Sequence, residues 1–111
     1  GKKSIKRNLD IIEAFQERIY IYLKNEKYAD QAYKVLVYSL EYLEGSKRLL
    51  TNRDDKIEFI QAQKRTKDIV KQLKKRKLSK IQKFSLVFMG INPCLVFRVG
   101  IKFRGLLERF L

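Results

Sequence analysis

The sequence contains no histidine and only one cysteine, and these two shortages exclude several kinds of site. Without histidine the chain cannot form a Cys/His zinc site or a histidine-based catalytic triad, and one cysteine cannot form an intrachain disulfide. Because no histidine can activate Cys94, we interpret its thiol as inert rather than nucleophilic. No P-loop or GxGxxG motif occurs, and the five glycines are scattered. We therefore predict that this chain supplies no catalytic residue and binds no metal or cofactor.

Acidic residues are also scarce, since the 111 residues include 12 Asp and Glu against 26 Lys and Arg, for a net charge of +14. The excess is uneven along the chain. Residues 8–44 carry a net charge of −3, whereas residues 45–83 carry +10 and residues 84–111 carry +3. Hydrophobic residues make up 45% of the chain, which excludes a simple disordered basic tail. A domain this basic points to an anionic partner.

The first residue is Gly1 rather than Met, and no secretory signal pattern precedes the first polar helix. Removal of an initiator Met also leaves an N-terminal glycine in some proteins. We interpret the sequence as one domain or a piece of one, cut from a longer protein.

Apolar periodicity predicts two helices joined by a short break. Residues 9–24 repeat apolar side chains every three or four positions, and Asn8 is a suitable N-cap. Residues 28–44 show the same pattern, and Gly45 is expected to end this helix as a left-handed C-cap. Residues 25–27 are polar, and so short a connection favours an antiparallel hairpin. The six tyrosines fall in these helices, and we expect them to pack between helices rather than stack on bases.

A third, strongly basic helix is expected to begin near Thr51 or Asn52 and to end at residues 76–77. Its predicted apolar stripe is thin and contains Ile57, Ile60, Val70 and Leu73, with Phe59 and Ile69 beside it. The adjacent Asp54 and Asp55 point about 100° apart on a helix. We therefore interpret them as acids that favour the start of the helix rather than as a metal pair.

A fourth helix is expected over residues 80–90 with Ser79 as its N-cap. Asn92-Pro93 should then break the chain, because the residue before proline disfavours the helical conformation. A last helix is expected over residues 94–110. The predicted fold class is therefore all-α: an antiparallel helical hairpin, then a basic helix, then a C-terminal amphipathic helical segment broken at Asn92-Pro93.

The C-terminal third has the composition of a helix that lies in a lipid interface. We therefore divide the chain into residues 1–83, the hairpin plus basic helix, and residues 84–111, the amphipathic segment. Residues 84–97 carry no charge, and these fourteen residues are too few for a membrane span, which needs roughly 20. The alternative interpretation is that this apolar stripe is core and closes over the first two helices.

Two sets of residues make up the predicted site. The predicted membrane or partner surface is apolar and consists of Phe84, Leu86, Val87, Phe88, Leu95, Val96, Val99, Phe103, Leu106, Leu107 and Phe110. The predicted contacts with an anionic surface are basic and consist of Lys71, Lys74, Lys75, Arg76, Lys77, Lys80, Lys83, Arg98, Lys102 and Arg109. Near an anionic leaflet each such cation contributes on the order of 1 kcal/mol.

Residues 3–18 read KSIKRNLDIIEAFQER and resemble a segment of bacterial family-2 glycosyltransferases. In that family the chain leaves the nucleotide-sugar domain through a pattern of the form Ser-Ile…Arg-x-x-Asp-Ile-Ile-Glu-Ala-x-x-x-Arg, which leads into a helical hairpin. Residues 25–34, which read NEKYADQAYK, are similar to the continuation of that hairpin. The Lys-rich stretch, residues 84–93 and the apolar segment with scattered arginines that follows are similar as well.

The resemblance implies that the chain is the C-terminal helical extension of an enzyme that transfers sugars from a nucleotide donor in cell-surface polysaccharide synthesis. It also implies an upstream catalytic domain in the same polypeptide, and a cytoplasmic location, peripheral on the inner face of the membrane. The family's Asp-x-Asp metal motif and its catalytic base lie in the upstream domain. No position of this sequence matches either of them.

Three functions remain open. The first is a non-catalytic helical module that docks a glycosyltransferase to the inner membrane face or helps it to form a homo-oligomer. The second, less favoured, is a small nucleic-acid-binding protein in which residues 64–83 follow a phosphate backbone. No recognition-helix or RNA-binding motif supports it, and no aromatic residue interrupts the basic run before Phe84. The third is a helical protein–protein assembly domain.

Overall fold

The structure of the chain, a computed structural model, describes residues 4–93. This part of the chain forms four α-helices and contains no strand. The helices are α1 (Ile5–Leu23), α2 (Ala29–Arg48), α3 (Arg53–Leu73) and α4 (Lys80–Ile91), with a short 3-10 turn at Glu26–Tyr28 between the first two. The all-α prediction is confirmed. The last predicted helix, over residues 94–110, lies outside the described residues.

Helices α1 and α2 form the predicted hairpin, and their mutual packing is the most extensive in the fold. Asn25 begins the turn between them, where its side chain accepts a hydrogen bond from the backbone N–H of Lys27 at 3.0 Å. One apolar face of each helix is buried, with Leu9, Ile12, Ile19 and Leu23 from α1 and Ala32, Leu36, Leu40 and Leu43 from α2. Packing of these two stripes stabilises the hairpin.

The hairpin differs from the prediction at its open end. Helix α1 begins at Ile5 with Ser4 as its N-cap residue, so Asn8 lies inside the helix, where it is buried. Gly45 does not end α2 in a left-handed conformation; it is helical, and α2 continues to Arg48. A Cβ at Gly45 would lie 3.6 Å from Nδ2 of Asn8. Gly45 is thus packed beside α1 inside the helix, and the low helix propensity of glycine does not end α2 there.

Helix α3 begins as predicted, because the side chain of Asn52 accepts a hydrogen bond from the backbone N–H of Asp55 at 2.9 Å. Its buried face agrees with the prediction in part, because Phe59, Ile69, Val70 and Leu73 are buried as the apolar pattern indicated. The buried side chains are Phe59, Ala62, Thr66, Ile69, Val70 and Leu73. Ile57 and Ile60 were wrong as core residues, since each is 46% exposed. The small Ala62 and the polar Thr66 lie on the buried face instead, where both contact Gln16 of α1.

A buried polar network joins α1 to α3. Nε2 of Gln16 donates to the backbone oxygen of Ala62 at 3.0 Å and to Oγ1 of Thr66 at 3.1 Å. Nε of Arg65 donates to Oε1 of the same glutamine at 2.6 Å. Because Gln16 is buried, its amide needs these partners, and they lie on the same face of α3 as its buried apolar side chains.

Helix α4 also begins as predicted, at a capping box in which Ser79 and Gln82 each satisfy a backbone N–H of the other. It ends at Ile91, and Asn92 is extended, as expected before proline. The helix packs beside α3, where Leu86 and Met89 are its buried side chains.

Candidate functional site

Helix α4 is apolar on its solvent-exposed side as well as on its buried side. We call the exposed side the α4 outer face. Its members are each about half or more exposed, and they are Ile81, Phe84, Val87, Phe88 and Ile91. The rings of Phe84 and Phe88 contact each other edge to face, with centroids 5.0 Å apart. Positions 81, 84, 88 and 91 follow the three-to-four spacing of one helical stripe, so these side chains form a continuous surface.

Such a surface is unusual on one short helix. Phe84 is 60% exposed and Ile91 is 70% exposed. Isolated exposed apolar residues are common on proteins, whereas contiguous apolar patches mark sites of contact with a partner or a membrane. The α4 outer face is therefore the strongest candidate for a functional surface among residues 4–93.

Cations surround this surface. Lys80 and Lys83 are exposed on α4 itself, and Lys74, Lys75 and Lys77 are exposed in the connection that precedes it. The sequence has no acidic residue at any position from 69 to 107. The apolar surface is thus bordered by lysines, while the carboxylates nearest to it in space, Glu26 and Asp30, are engaged in hydrogen bonds, and this combination favours an anionic partner.

The connection between α3 and α4 is held against the turn of the hairpin. Nη2 of Arg76 donates to the backbone oxygen of Leu23 at 2.6 Å, and its Nη1 donates to Oε2 of Glu26 at 3.0 Å. The backbone N–H of Lys77 donates to Oε1 of Glu26 at 3.0 Å. The hydrogen bond from Lys77, with further help from Arg76, lowers the pKa of the Glu26 carboxyl below its usual value. Arg76 is therefore a structural residue, with both ends of its guanidinium engaged.

Two polar contacts hold α4 to α2. Nε2 of Gln82 donates to Oδ1 of Asp30 at 2.7 Å, and the hydroxyls of Tyr33 and Ser85 share a hydrogen bond of 2.7 Å. The hydrogen bond from Gln82, followed by the contact with Lys34, lowers the pKa of Asp30. These contacts lie on the inner edge of α4, so they fix which side of the helix faces outward.

The structure brings together part of the predicted surface. Phe84, Val87 and Phe88 lie on the α4 outer face as predicted, but Leu86 does not. It is fully buried, because its position on the helix points it toward α3. Ile81 and Ile91 were missed, although their spacing from the two phenylalanines is the signal that could have found them. The remaining predicted apolar residues lie outside the described part of the chain, namely Leu95, Val96, Val99, Phe103, Leu106, Leu107 and Phe110.

The predicted basic contacts are also placed in part. The exposed ones are Lys71, Lys74, Lys75, Lys77, Lys80 and Lys83. Arg76 differs, because its side chain is only 22% exposed and pairs with Glu26. Arg98, Lys102 and Arg109 lie outside residues 4–93.

The tyrosines and acidic residues do not form a second site in the described range. The Tyr20 hydroxyl donates to Oδ2 of Asp68 at 2.8 Å, and burial together with this hydrogen bond raises the pKa of Tyr20 to about 12. Asp54 and Asp55 lie in the first turn of α3, as expected. Between residues 4 and 93 no three Cys, Asp or Glu side chains cluster closely enough to hold a metal ion. No helix in this range is long and apolar enough to cross a membrane.

Comparison of the chain with protein-family models, with curated proteins and with solved structures found no match.

Proposed function

We propose that the chain is a non-catalytic helical module that associates with an anionic membrane surface through the α4 outer face. The observation that carries this proposal is the continuous exposure of five large apolar side chains on α4, bordered by lysines. A helix with this arrangement lies in the plane of an interface, with its apolar side among the acyl chains and its cations near the headgroups.

The magnitudes favour this mode of binding. Full burial of a large apolar side chain contributes about 1.5–3 kcal/mol, and Phe84 and Phe88, which are 60% and 47% exposed, each gain roughly half of that. Each lysine near an anionic leaflet contributes about 1 kcal/mol. Two phenylalanines and a few lysines are then enough for reversible attachment, although neither group would be sufficient alone.

A wider role follows from the family resemblance of the sequence. We propose that this module is the C-terminal part of a bacterial nucleotide-sugar-dependent glycosyltransferase, located in the cytoplasm on the inner face of the membrane. Attachment through α4 would then hold the upstream catalytic domain near membrane-associated acceptors. An immunoblot of source cells with an antibody against this chain tests this part. We expect a product several-fold heavier than 13.3 kDa. A product of 13.3 kDa would contradict the proposal that the chain is part of a glycosyltransferase.

Vesicle co-sedimentation tests the membrane proposal. The chain should sediment with vesicles that contain phosphatidylglycerol and much less with vesicles of phosphatidylcholine alone. The double variant Phe84→Ser/Phe88→Ser should bind the anionic vesicles at least about tenfold more weakly, because tenfold corresponds to about 1.4 kcal/mol and two aromatic side chains lose their insertion. Circular dichroism of the variant checks that its helices are intact.

Ile21→Ser is the matched control, because Ile21 is 63% exposed on α1 and its loss should leave vesicle binding unchanged. A wild-type chain that stays in the supernatant at low salt contradicts the proposal. Two other results would favour a different partner for the α4 outer face. Light scattering without lipid that shows an oligomer dissociated by the double variant favours an assembly domain. Binding to RNA at about 0.15 M salt, with none to vesicles, favours a nucleic-acid partner.

A further inference from the structure

The exposed side of α3 combines apolar and basic residues in the same way as α4 does. We call it the α3 outer face. Its members are all exposed, and they are Ile57, Ile60, Lys64, Lys67 and Lys71. They follow one another at intervals of three and four positions, so they lie along one side of the helix. At 1.5 Å per residue they cover about 21 Å of its length. The two isoleucines occupy the first half and the three lysines the second.

One carboxylate stands beside the lysines of this face, and its interactions direct it toward α1. Asp68 lies on the edge of the α3 outer face, where its Oδ2 accepts hydrogen bonds from the Tyr20 hydroxyl at 2.8 Å and from Nε2 of Gln72 at 2.9 Å. Asp54 lies three residues before Ile57, near the isoleucine end of the face, and Glu58 lies about 100° away from Ile57. The positive charge of the three lysines is therefore only partly offset on this face.

Helices α3 and α4 pack against each other. Helix α3 packs on both α1 and α2, and α4 packs beside α3. Gly90 marks the close approach of the two, since a Cβ there would lie 3.8 Å from Cγ1 of Val70 and 3.3 Å from Nζ of Lys74. On its other edge α4 reaches α2 through Asp30 and Tyr33. The two helices are thus neighbours, α3 packed on the hairpin and α4 joined to α2 by hydrogen bonds, and the outer face of each is exposed.

We propose that the α3 outer face is a second contact with the anionic membrane surface. The module then lies on the bilayer with the outer faces of both α3 and α4 against the lipid. This inference rests on the proposed function of α4 and adds Ile57, Ile60, Lys64 and Lys67 to the predicted surface, which already included Lys71. Ile57 and Ile60 enter the interface, while Lys64, Lys67 and Lys71 meet lipid phosphates. A nucleic acid fits this face less well, because no aromatic residue on it can stack on a base and the two isoleucines would stay in water.

An environment-sensitive label tests the contact directly. In a Cys94→Ser background, one protein carries an NBD fluorophore at Ile60→Cys and a second carries it at Ala14→Cys, an exposed position on α1. With vesicles of phosphatidylcholine and phosphatidylglycerol, the label at position 60 should become brighter and shift to the blue, whereas the label at position 14 should not change. The unlabelled double variant Lys64→Gln/Lys67→Gln should bind these vesicles about tenfold more weakly than the unsubstituted chain.

The outcomes separate this inference from the proposed function. If the chain sediments with the vesicles but the label at position 60 behaves like the one at position 14, α4 is the contact and the α3 inference is wrong. If the chain does not sediment at all, both are wrong. If Lys64→Gln/Lys67→Gln loses affinity for RNA but keeps its affinity for vesicles, the α3 outer face serves a nucleic acid, which also overturns the inference.

Discussion

Replacement of Leu36 by alanine is expected to lower the free energy of unfolding by about 2–5 kcal/mol. Leu36 is fully buried in the middle of α2, in the core cluster that unites the helices. The substitution removes three carbon atoms from that core and leaves a cavity, which rigid helix packing only partly fills. Urea denaturation followed by far-ultraviolet circular dichroism measures the loss.

Tyr38→Ala is the matched control for this prediction, because Tyr38 is two residues away on the same helix and is 64% exposed. We expect its free energy of unfolding to stay within about 0.5 kcal/mol of the unsubstituted chain. Equal losses in the two variants would mean that α2 does not bury the face that contains Leu36.

Gln16→Ala is expected to cost about 2–4 kcal/mol of stability, an unusually large effect for a polar residue. The substitution removes a buried side chain that donates two hydrogen bonds to α3, and it leaves Nε of Arg65 without the acceptor that it has in the folded protein. Both the cavity and the lost partners destabilise the contact between α1 and α3. The same urea titration measures the change, with the exposed Gln31→Ala as control.

A double-mutant cycle with Thr66→Val tests whether the network acts as a unit. Since Nε2 of Gln16 donates to Oγ1 of Thr66, the second substitution should cost less once the first is present. We expect a coupling of about 0.5–1.5 kcal/mol. Strictly additive losses would show that the hydrogen bond between these side chains contributes nothing to stability.

The sequence was sufficient to predict local features that depend on neighbours along the chain. Three- and four-residue spacing identified the hairpin, and short polar side chains identified the starts of α3 and α4 at Asn52 and Ser79. These signals act within one or two turns of helix, so a single sequence contains them in full.

Features that depend on a distant residue were not predicted. Gly45 looks like a helix end, but it faces Asn8 of α1 and stays helical. Ile57 and Ile60 look like core, but the other side of α3 is buried, where Ala62 meets Gln16 among the apolar side chains. A polar residue in the core carries no hydrophobic signal, so apolar periodicity found the buried residues in the second half of α3 but misplaced Ile57 and Ile60 in the first half.

The candidate site was also predicted only in part, because the orientation of α4 depends on residues that are distant in the sequence. Its phenylalanines were identified from the uncharged run, but Leu86 in the same run is buried and Ile81 outside it is exposed. In a helix that is apolar on both sides, the sequence alone does not indicate which side packs against the other helices. The packing of α4 on α3 and its hydrogen bonds to α2 decide that question.

The polar contacts of α1 with α3 and with the connection that follows α3 have a consequence for chain entropy. Gln16 meets Ala62 and Leu23 meets Arg76, with the Tyr20 contact between them, and the paired residues are 46, 53 and 48 positions apart in the sequence. Closing the first such loop costs entropy that grows with the logarithm of its length. Each later pair closes only the few residues that separate it from the pair already formed. Once one of these contacts has formed, the others therefore form at little further entropic cost, since the paired residues follow the same order along both segments.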